Sequence, residues 1–249
     1  MPAKQQLRRA LSAVGLEPRA VALKRAFEPS HTTQDRRDHE ALATIFATAL
    51  APDANCVDVG AHSGDVLDDI VRIAPRGRHI GFEPLPDLAE QLQRRHPNVC
   101  VRAVALSDAG GTATFTHVLD RPGWSGFKPR PTPDGAAART QTITVPTERL
   151  DDALPDDYVP ALIKIDVEGA ELQVLQGARG TLAAHQPLVV FEHGLGSADH
   201  YGTRPEQVHD LLTQLGYRVF DLQGHGPYTR TVFMETFHTS ARVNFLARV

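Results

Sequence analysis

Short apolar runs that end in an acid alternate with amphipathic stretches from about residue 53 onward, and no other feature narrows the fold as much. "NCVDVG" (55–60), "RHIGFEP" (78–84), "VCVRAVALS" (99–107), "ALIKIDVEG" (161–169), "PLVVFEHG" (187–194) and "YRVFDL" (217–222) read as strands. "GDVLDDIVRIA" (64–74), "PDLAEQLQRRH" (86–96), "AELQVLQGARGTLAAH" (170–185) and "PEQVHDLLTQLG" (205–216) carry helical periodicity between them. Strands that are apolar on both faces and separated by helices belong in a parallel sheet covered on each side. The last segment, "RVNFLARV" (242–249), is a strand with no helical pattern between it and 217–222, so the two are expected to pair as an antiparallel hairpin closed by 223–241. The rhythm breaks once. Residues 110–119 alternate as an antiparallel strand does, 120–141 are rich in Pro and Gly and read as a long loop, and 142–154 return as a strand and a turn of helix. Residues 1–50 read as an N-terminal helical extension ahead of an α/β domain over 51–249.

Composition removes several function classes. A formal net charge of -4 gives no basic footprint, so no nucleic-acid partner is expected. No apolar run approaches the roughly 18 residues that a membrane-spanning helix needs, and the N-terminus lacks the unbroken apolar core of a signal peptide. The two cysteines, Cys56 and Cys100, fall in expected buried strands and read as reduced core thiols, which suits a cytoplasmic protein. The basic N-terminal stretch, with Arg8, Arg9, Arg19, Lys24 and Arg25, reads as a solvated helical face. Contact with a membrane surface or a homodimer through these helices is the alternative.

Ligands of a parallel sheet bind beyond the carboxyl ends of its strands. The first such end, "CVDVGAHSGD" (56–65), places Asp58 two residues before Gly60 and has Gly64 further on. A dinucleotide fingerprint has a glycine where Asp58 stands, and a carboxylate there would repel a pyrophosphate; a P-loop is excluded because no Gly-Lys-Ser/Thr follows. The acid favours a ligand with a cationic group, and S-adenosylmethionine carries a sulfonium and an ammonium. Gly60 lets a backbone come close to such a ligand. Glu83, at the end of the next strand and about 20 residues on, is an acceptor for two ribose hydroxyls. "VALSD" (104–108) ends the third strand, where Ala105 and Leu106 offer apolar walls to an adenine.

Together with "IKIDVEGAE" (163–171), these motifs resemble the FkbM-type family of S-adenosylmethionine-dependent O-methyltransferases. "VDVGAHSGD", "GFEPLP", "VALSD" and "VVFEH" match in the same order, and the resemblance covers roughly residues 53–248. His62 stands where the family usually has Asn, and the "GWSGF" loop (123–127) falls where the family varies. The resemblance implies the class I (Rossmann-like) methyltransferase fold, a mostly parallel seven-stranded sheet whose last strand is antiparallel, with helices on both faces. It also implies cofactor contacts at Asp58, Gly60, Ala61, His62, Gly64, Glu83, Pro84, Ala105, Leu106 and Asp166. The acceptor it implies is a small molecule or glycan with a free hydroxyl.

An alcohol is a poor nucleophile and needs a base or a metal to help remove its proton. In extended geometry Asp166 and Glu168 share a face, and the neighbouring strand ends in Glu192 and His193. In the first reading His193 or Glu168 is the base beside Asp166, and no metal takes part. In the second, Asp166, Glu192 and His193 hold Mg²⁺ or a similar ion. Glu171 reads as an ordinary first-turn helix acid. Acceptor contacts are expected from Trp124, Ser125, Glu192, His193 and Tyr201, with Trp124 a platform for a sugar or simply a loop anchor.

Overall fold

Strands that are mostly apolar on both faces are stable only where both are covered, and the segments at 56–59, 79–82 and 162–165 are buried at each residue. The computed structural model describes the backbone of residues 30–129 and 138–249, and side chains within them from residue 36 onward. In chain order the elements are α1 (Ser30–Ala49), β1 (Cys56–Val59), α2 (Asp65–Ile73), β2 (His79–Phe82), α3 (Pro86–Arg95), β3 (Cys100–Arg102), β4 (Ala105–Leu106), β5 (Gly111–Val118) and β6 (Thr140–Glu148). They continue with α4 (Leu150–Ala153), β7 (Leu162–Ile165), α5 (Glu171–Gly177), α6 (Arg179–His185), β8 (Leu188–Glu192), α7 (Pro205–Gln214), β9 (Arg218–Asp221), α8 (Arg230–Thr239) and β10 (Asn244–Arg248). Among the described residues, those from Ala43 to Val249 group into one unit and those from 30 to 42 into another. The basic N-terminal stretch lies outside the described residues. No described helix is long and apolar enough to cross a membrane.

The main sheet has seven strands in the order β3-β2-β1-β7-β8-β10-β9. All run one way except β10, which is antiparallel to both β8 and β9. This is the class I methyltransferase arrangement expected from the sequence, terminal hairpin included. Val57, Val59, Ile163, Ile165, Val189 and Phe191 form the middle of its core, with Phe233 and Phe245 fully buried against them.

Four expectations change. The strand over 99–107 is two strands: β3 pairs with β2, and β4 leaves the main sheet to pair with β6. β4, β6 and β5 form a separate three-stranded sheet, with β5 and β6 as a long antiparallel pair. Cys100 is exposed, because it opens the edge strand β3; only Cys56 is a core thiol. The segment between β9 and β10 contains α8, whose buried residues Phe233, Thr236 and Phe237 are one turn apart and whose N-cap Thr229 accepts a hydrogen bond from the Val232 amide. Its mixed Thr, Phe, Met and His composition hides that stripe.

The helix expected over 170–185 is two helices broken at Ala178. Gly177 lies so close to the end of β4 that a β-carbon there would stand 2.0 Å from the Ser107 carbonyl oxygen. The break lets α5 lean on the strand that carries Ala105 and Leu106. Gly177→Ala is therefore expected to destabilise the fold by about 1–3 kcal/mol through overpacking against backbone. A urea unfolding midpoint unchanged from the parent would show that the contact yields freely.

Candidate functional site

The carboxyl ends of β1, β2 and β7 open onto a cleft of about 720 Å³ that is open to solvent. Beneath it lies a buried ion cluster. Asp58 and Lys164 face each other in the β1–β7 register, and Asp58 is fully buried. Lys164 Nζ stands 3.5 Å from Asp58 Oδ1 and 3.4 Å from Asp166 Oδ2, and it donates to the Gly60 carbonyl at 3.4 Å. Burial works to strip the proton from Lys164, but Asp166, Asp58 and Glu192 outweigh it and raise its pKa. Burial pushes the Asp58 carboxyl up, Lys164 pulls it back, and Asp166 adds to the rise. Asp58 was expected to meet a ligand's cationic end. It is not on the cleft wall, and the cation it faces is Lys164.

Gly60 lines the cleft, but its missing β-carbon answers first to the protein itself. At φ 79° a β-carbon would lie 1.8 Å from the Asp166 carbonyl oxygen. The amides of Gly60 and Ala61 both donate to the Phe82 carbonyl, at 2.9 and 3.1 Å, which ties the loop to β2. Ala61 is buried against Leu67 and Leu92, and Gly64 caps α2 at φ 84°; both shape the loop from behind the wall. His62, at φ 44°, is on the wall, and its amide donates to Glu83 Oε2 at 2.9 Å. Glu83 Oε1 accepts from the Leu85 amide at 2.9 Å. Each oxygen keeps a second lone pair, so this cleft-lining carboxylate can still accept from a ligand. Burial pushes its pKa up, and the two backbone donors hold part of the rise back.

Asp166, Val167 and Glu168 supply the opposite wall. Glu168 sits in the left-handed region at φ 59°, which a residue with a β-carbon seldom adopts. Behind it is a brace that sequence reading missed. Glu171 is buried, and its Oε1 accepts from the amides of Gly169 at 2.9 Å and Val167 at 3.4 Å. A first-turn acid that binds the loop before its helix differs from a solvated one only by burial, which the local sequence does not reveal.

The strand end at 192–193 divides its two residues between faces. His193 is fully buried on the α8 side, its ring parallel to Phe233 with centroids 5.9 Å apart and 5.0 Å from Phe237. Its nearest acid is Glu171, with Nδ1 to Oε2 at 3.8 Å. The expected base or acceptor contact is thus turned away from the cleft. Glu192 lies half-buried on the face of Lys164 and Asp166. Burial, then Asp166, Glu168 and Glu171, raise its pKa well above 4.5. Asp166, Glu192 and His193 do not converge, and no group of three metal-binding side chains is assembled among the described residues.

The remaining walls are apolar. Pro84, Leu85, Val104, Ala105 and Leu106 come from the main strand ends, and Phe115, Ser125 and Phe127 from the small sheet and the segment after it. Trp124 and Tyr201 are not wall residues; the Tyr201 hydroxyl instead accepts from the Lys128 amide at 3.3 Å.

With this geometry in hand, a family model described as "Methyltransferase FkbM domain" matches residues 58–219. The AMB antimetabolite synthetase AmbE of Pseudomonas aeruginosa is 30% identical over 210 residues, covering 68% of this chain and 10% of AmbE. The methyltransferase sdnD of Sordaria araneosa is 28% identical over 152 residues, covering 49% of this chain and 59% of sdnD. The chain therefore spans only part of the length of either relative. Among solved structures, methyltransferase FkbM of Methylobacillus flagellatus shares the fold with a TM-score of 0.50 at 18% identity, over 82% of this chain and 48% of that one.

The acid cluster has a consequence for stability. Glu192 keeps its proton to higher pH in the folded chain than in the unfolded one, so the fold binds the extra proton between pH 4.5 and its raised pKa. Stability contributed by that proton is present at the acid end of this window and is lost as pH rises through it. Glu192→Gln is expected to flatten the fall of the unfolding midpoint as pH rises above 4.5. A parallel pair of pH curves for parent and variant would contradict the assignment.

Proposed function

The chain belongs to the FkbM family of S-adenosylmethionine-dependent methyltransferases, and we propose that it methylates a hydroxyl of a sugar, glycolipid or polyketide-type natural product. One observation carries the cofactor reading: a single cleft combines an acidic end at Asp166 and Glu168, a carboxylate with free lone pairs at Glu83, and an apolar end at Leu85, Ala105 and Leu106. S-adenosylmethionine has the matching sequence of groups, cationic, ribose and adenine. When bound it supplies a methyl group on sulfonium, ready for in-line displacement.

In this reading the loop through Gly60, Ala61, His62 and Gly64 shapes the floor, and Asp166 meets the cationic end. Glu83 accepts the ribose hydroxyls, while Pro84, Ala105 and Leu106 flank the adenine. Asp58 acts from below, by holding Lys164 against Asp166 and Gly60. Glu168 is the wall carboxylate nearest to hand for an incoming hydroxyl and takes its proton. His193 is withdrawn from that role because its ring is enclosed by Phe233 and Phe237. A metal held by Asp166, Glu192 and His193 loses its imidazole for the same reason. The name of one relative, an antimetabolite synthetase, supports a natural-product acceptor.

Calorimetry tests the cofactor: S-adenosylhomocysteine is expected to bind, and Glu83→Gln to weaken it roughly 10- to 100-fold by loss of charge-assisted bonds. With a panel of hydroxylated acceptors read by mass, Glu168→Gln is expected to lower methyl transfer by about 10²–10⁴-fold with no matching loss of S-adenosylhomocysteine affinity. Absence of S-adenosylhomocysteine binding would sink the cofactor assignment, and a product methylated at nitrogen or carbon would replace the hydroxyl acceptor.

A further inference from the structure

The segment after β5 looks in sequence like a variable wall for the acceptor. Its contacts lie elsewhere. Residues 122–124 form a 3-10 turn, and Gly126 then pairs antiparallel with Thr116, with N–O distances of 2.8 and 3.1 Å. Ser125 Oγ accepts from the Val118 amide at 3.0 Å, so this strap is fastened along β5. At one end it rests on the glycine loop: a β-carbon at Gly123 would lie 3.4 Å from His62 Nε2. At the other it reaches Tyr201 through the Lys128 amide, with Lys128 Nζ 5.7 Å from the centre of the Tyr201 ring. Between these ends Phe127 meets Phe115 edge to face, centroids 5.6 Å apart at 86°. Both rings line the cleft, and both pack with Leu85 and Ala105 in one apolar cluster.

We propose that this strap is the ceiling of the cofactor's adenosine half: Phe127, backed by Phe115, covers the purine, and the Gly123–His62 contact covers the ribose. The proposal rests on the S-adenosylmethionine reading above. Charge orients such a ligand, because its sulfonium and ammonium belong at Asp166. Glu83 then takes the ribose, and the Leu85, Ala105, Leu106, Phe115 and Phe127 end offers apolar surface for a planar ring. An acceptor meets the transferred methyl at the acidic end, not at this apolar one. The strap thus selects the cofactor, and His62, which replaces the amide usual in the family, is its seat.

The test uses the full chain and two probes. One is S-adenosylhomocysteine; the other is 5′-methylthioadenosine, which lacks the amino-acid half. Phe127→Ala is expected to weaken both by the same factor, roughly 5- to 100-fold for loss of one aromatic platform under a base. Phe127→Leu, which keeps apolar bulk without the ring, should fall between parent and Ala, and it carries the test should the Ala variant not fold. Trp124 is the only tryptophan and sits in the strap, so its emission should change with either probe. Parent binding of S-adenosylhomocysteine with no loss in the Phe127 variants overturns the ceiling and leaves the cofactor reading standing. Loss for S-adenosylhomocysteine alone puts Phe127 at the amino-acid end and overturns it as well. No parent binding of either probe overturns the cofactor reading itself.

Discussion

The buried pairing of Lys164 with Asp58 is the constraint around which the site is arranged. A charge taken out of water is tolerated only when it is paired and hydrogen-bonded. Here the pairing crosses two neighbouring strands, Asp58 on β1 and Lys164 on β7. Shifting either strand by one residue would point one of the charges to the other face of the sheet and leave its partner alone. The register that avoids this also brings Asp166 beside Gly60. The same ammonium then touches three things at once: a buried acid, an acid on the cleft wall and the carbonyl of the glycine loop.

Close packing follows from that register. The Asp166 carbonyl occupies the space where a side chain at position 60 would be, so the glycine is fixed by strand β7 before any ligand arrives. The turn that follows β7 is then held from behind by Glu171, whose carboxylate gathers the amides of Val167 and Gly169. His62 and Glu168 stand on opposite walls with positive φ, and strain of this kind persists where the surroundings over-determine it. Both are over-determined here, His62 by its amide bond to Glu83 and Glu168 by the braced turn.

The main sheet was legible because its signal recurs: most of its strands are a short, mainly apolar run before a polar end. The elements that escaped are those whose identity depends on distant partners. β4 is two residues long and becomes a strand only by pairing with β6. α8 shows its apolar stripe only against the core that Phe233 and Phe237 fill. Within the site, Gly60, His62, Glu83, Ala105, Leu106, Asp166 and Glu168 were readable as strand-end residues and do line the cleft. Asp58 and His193 were readable as strand-end polar residues too, but alternation assigns a face and not a depth. One lies under Lys164 and the other behind the sheet, and only packing decides that. Phe127 was readable only as part of the variable "GWSGF" loop and Phe115 not at all, since their place on the wall depends on a second sheet folding back over the first.

The same cluster explains why the site is under electrostatic tension. Asp58, Asp166 and Glu192 act on one ammonium, Glu168 and Glu171 act in turn on Glu192, and carboxylates in such company cannot all ionise cheaply. Lys164 is shared between Asp58 and Asp166, while burial and three acids together push Glu192 up, so that it keeps its proton to higher pH than an ordinary carboxyl. A cation entering between Asp166 and Glu168 would act on Glu192 as a second lysine would, favouring the ionised form. Entry of positive charge at this end of the cleft and ionisation of Glu192 are then linked. An acid cluster that costs the fold stability is also what makes it receptive to positive charge, a common exchange at functional sites.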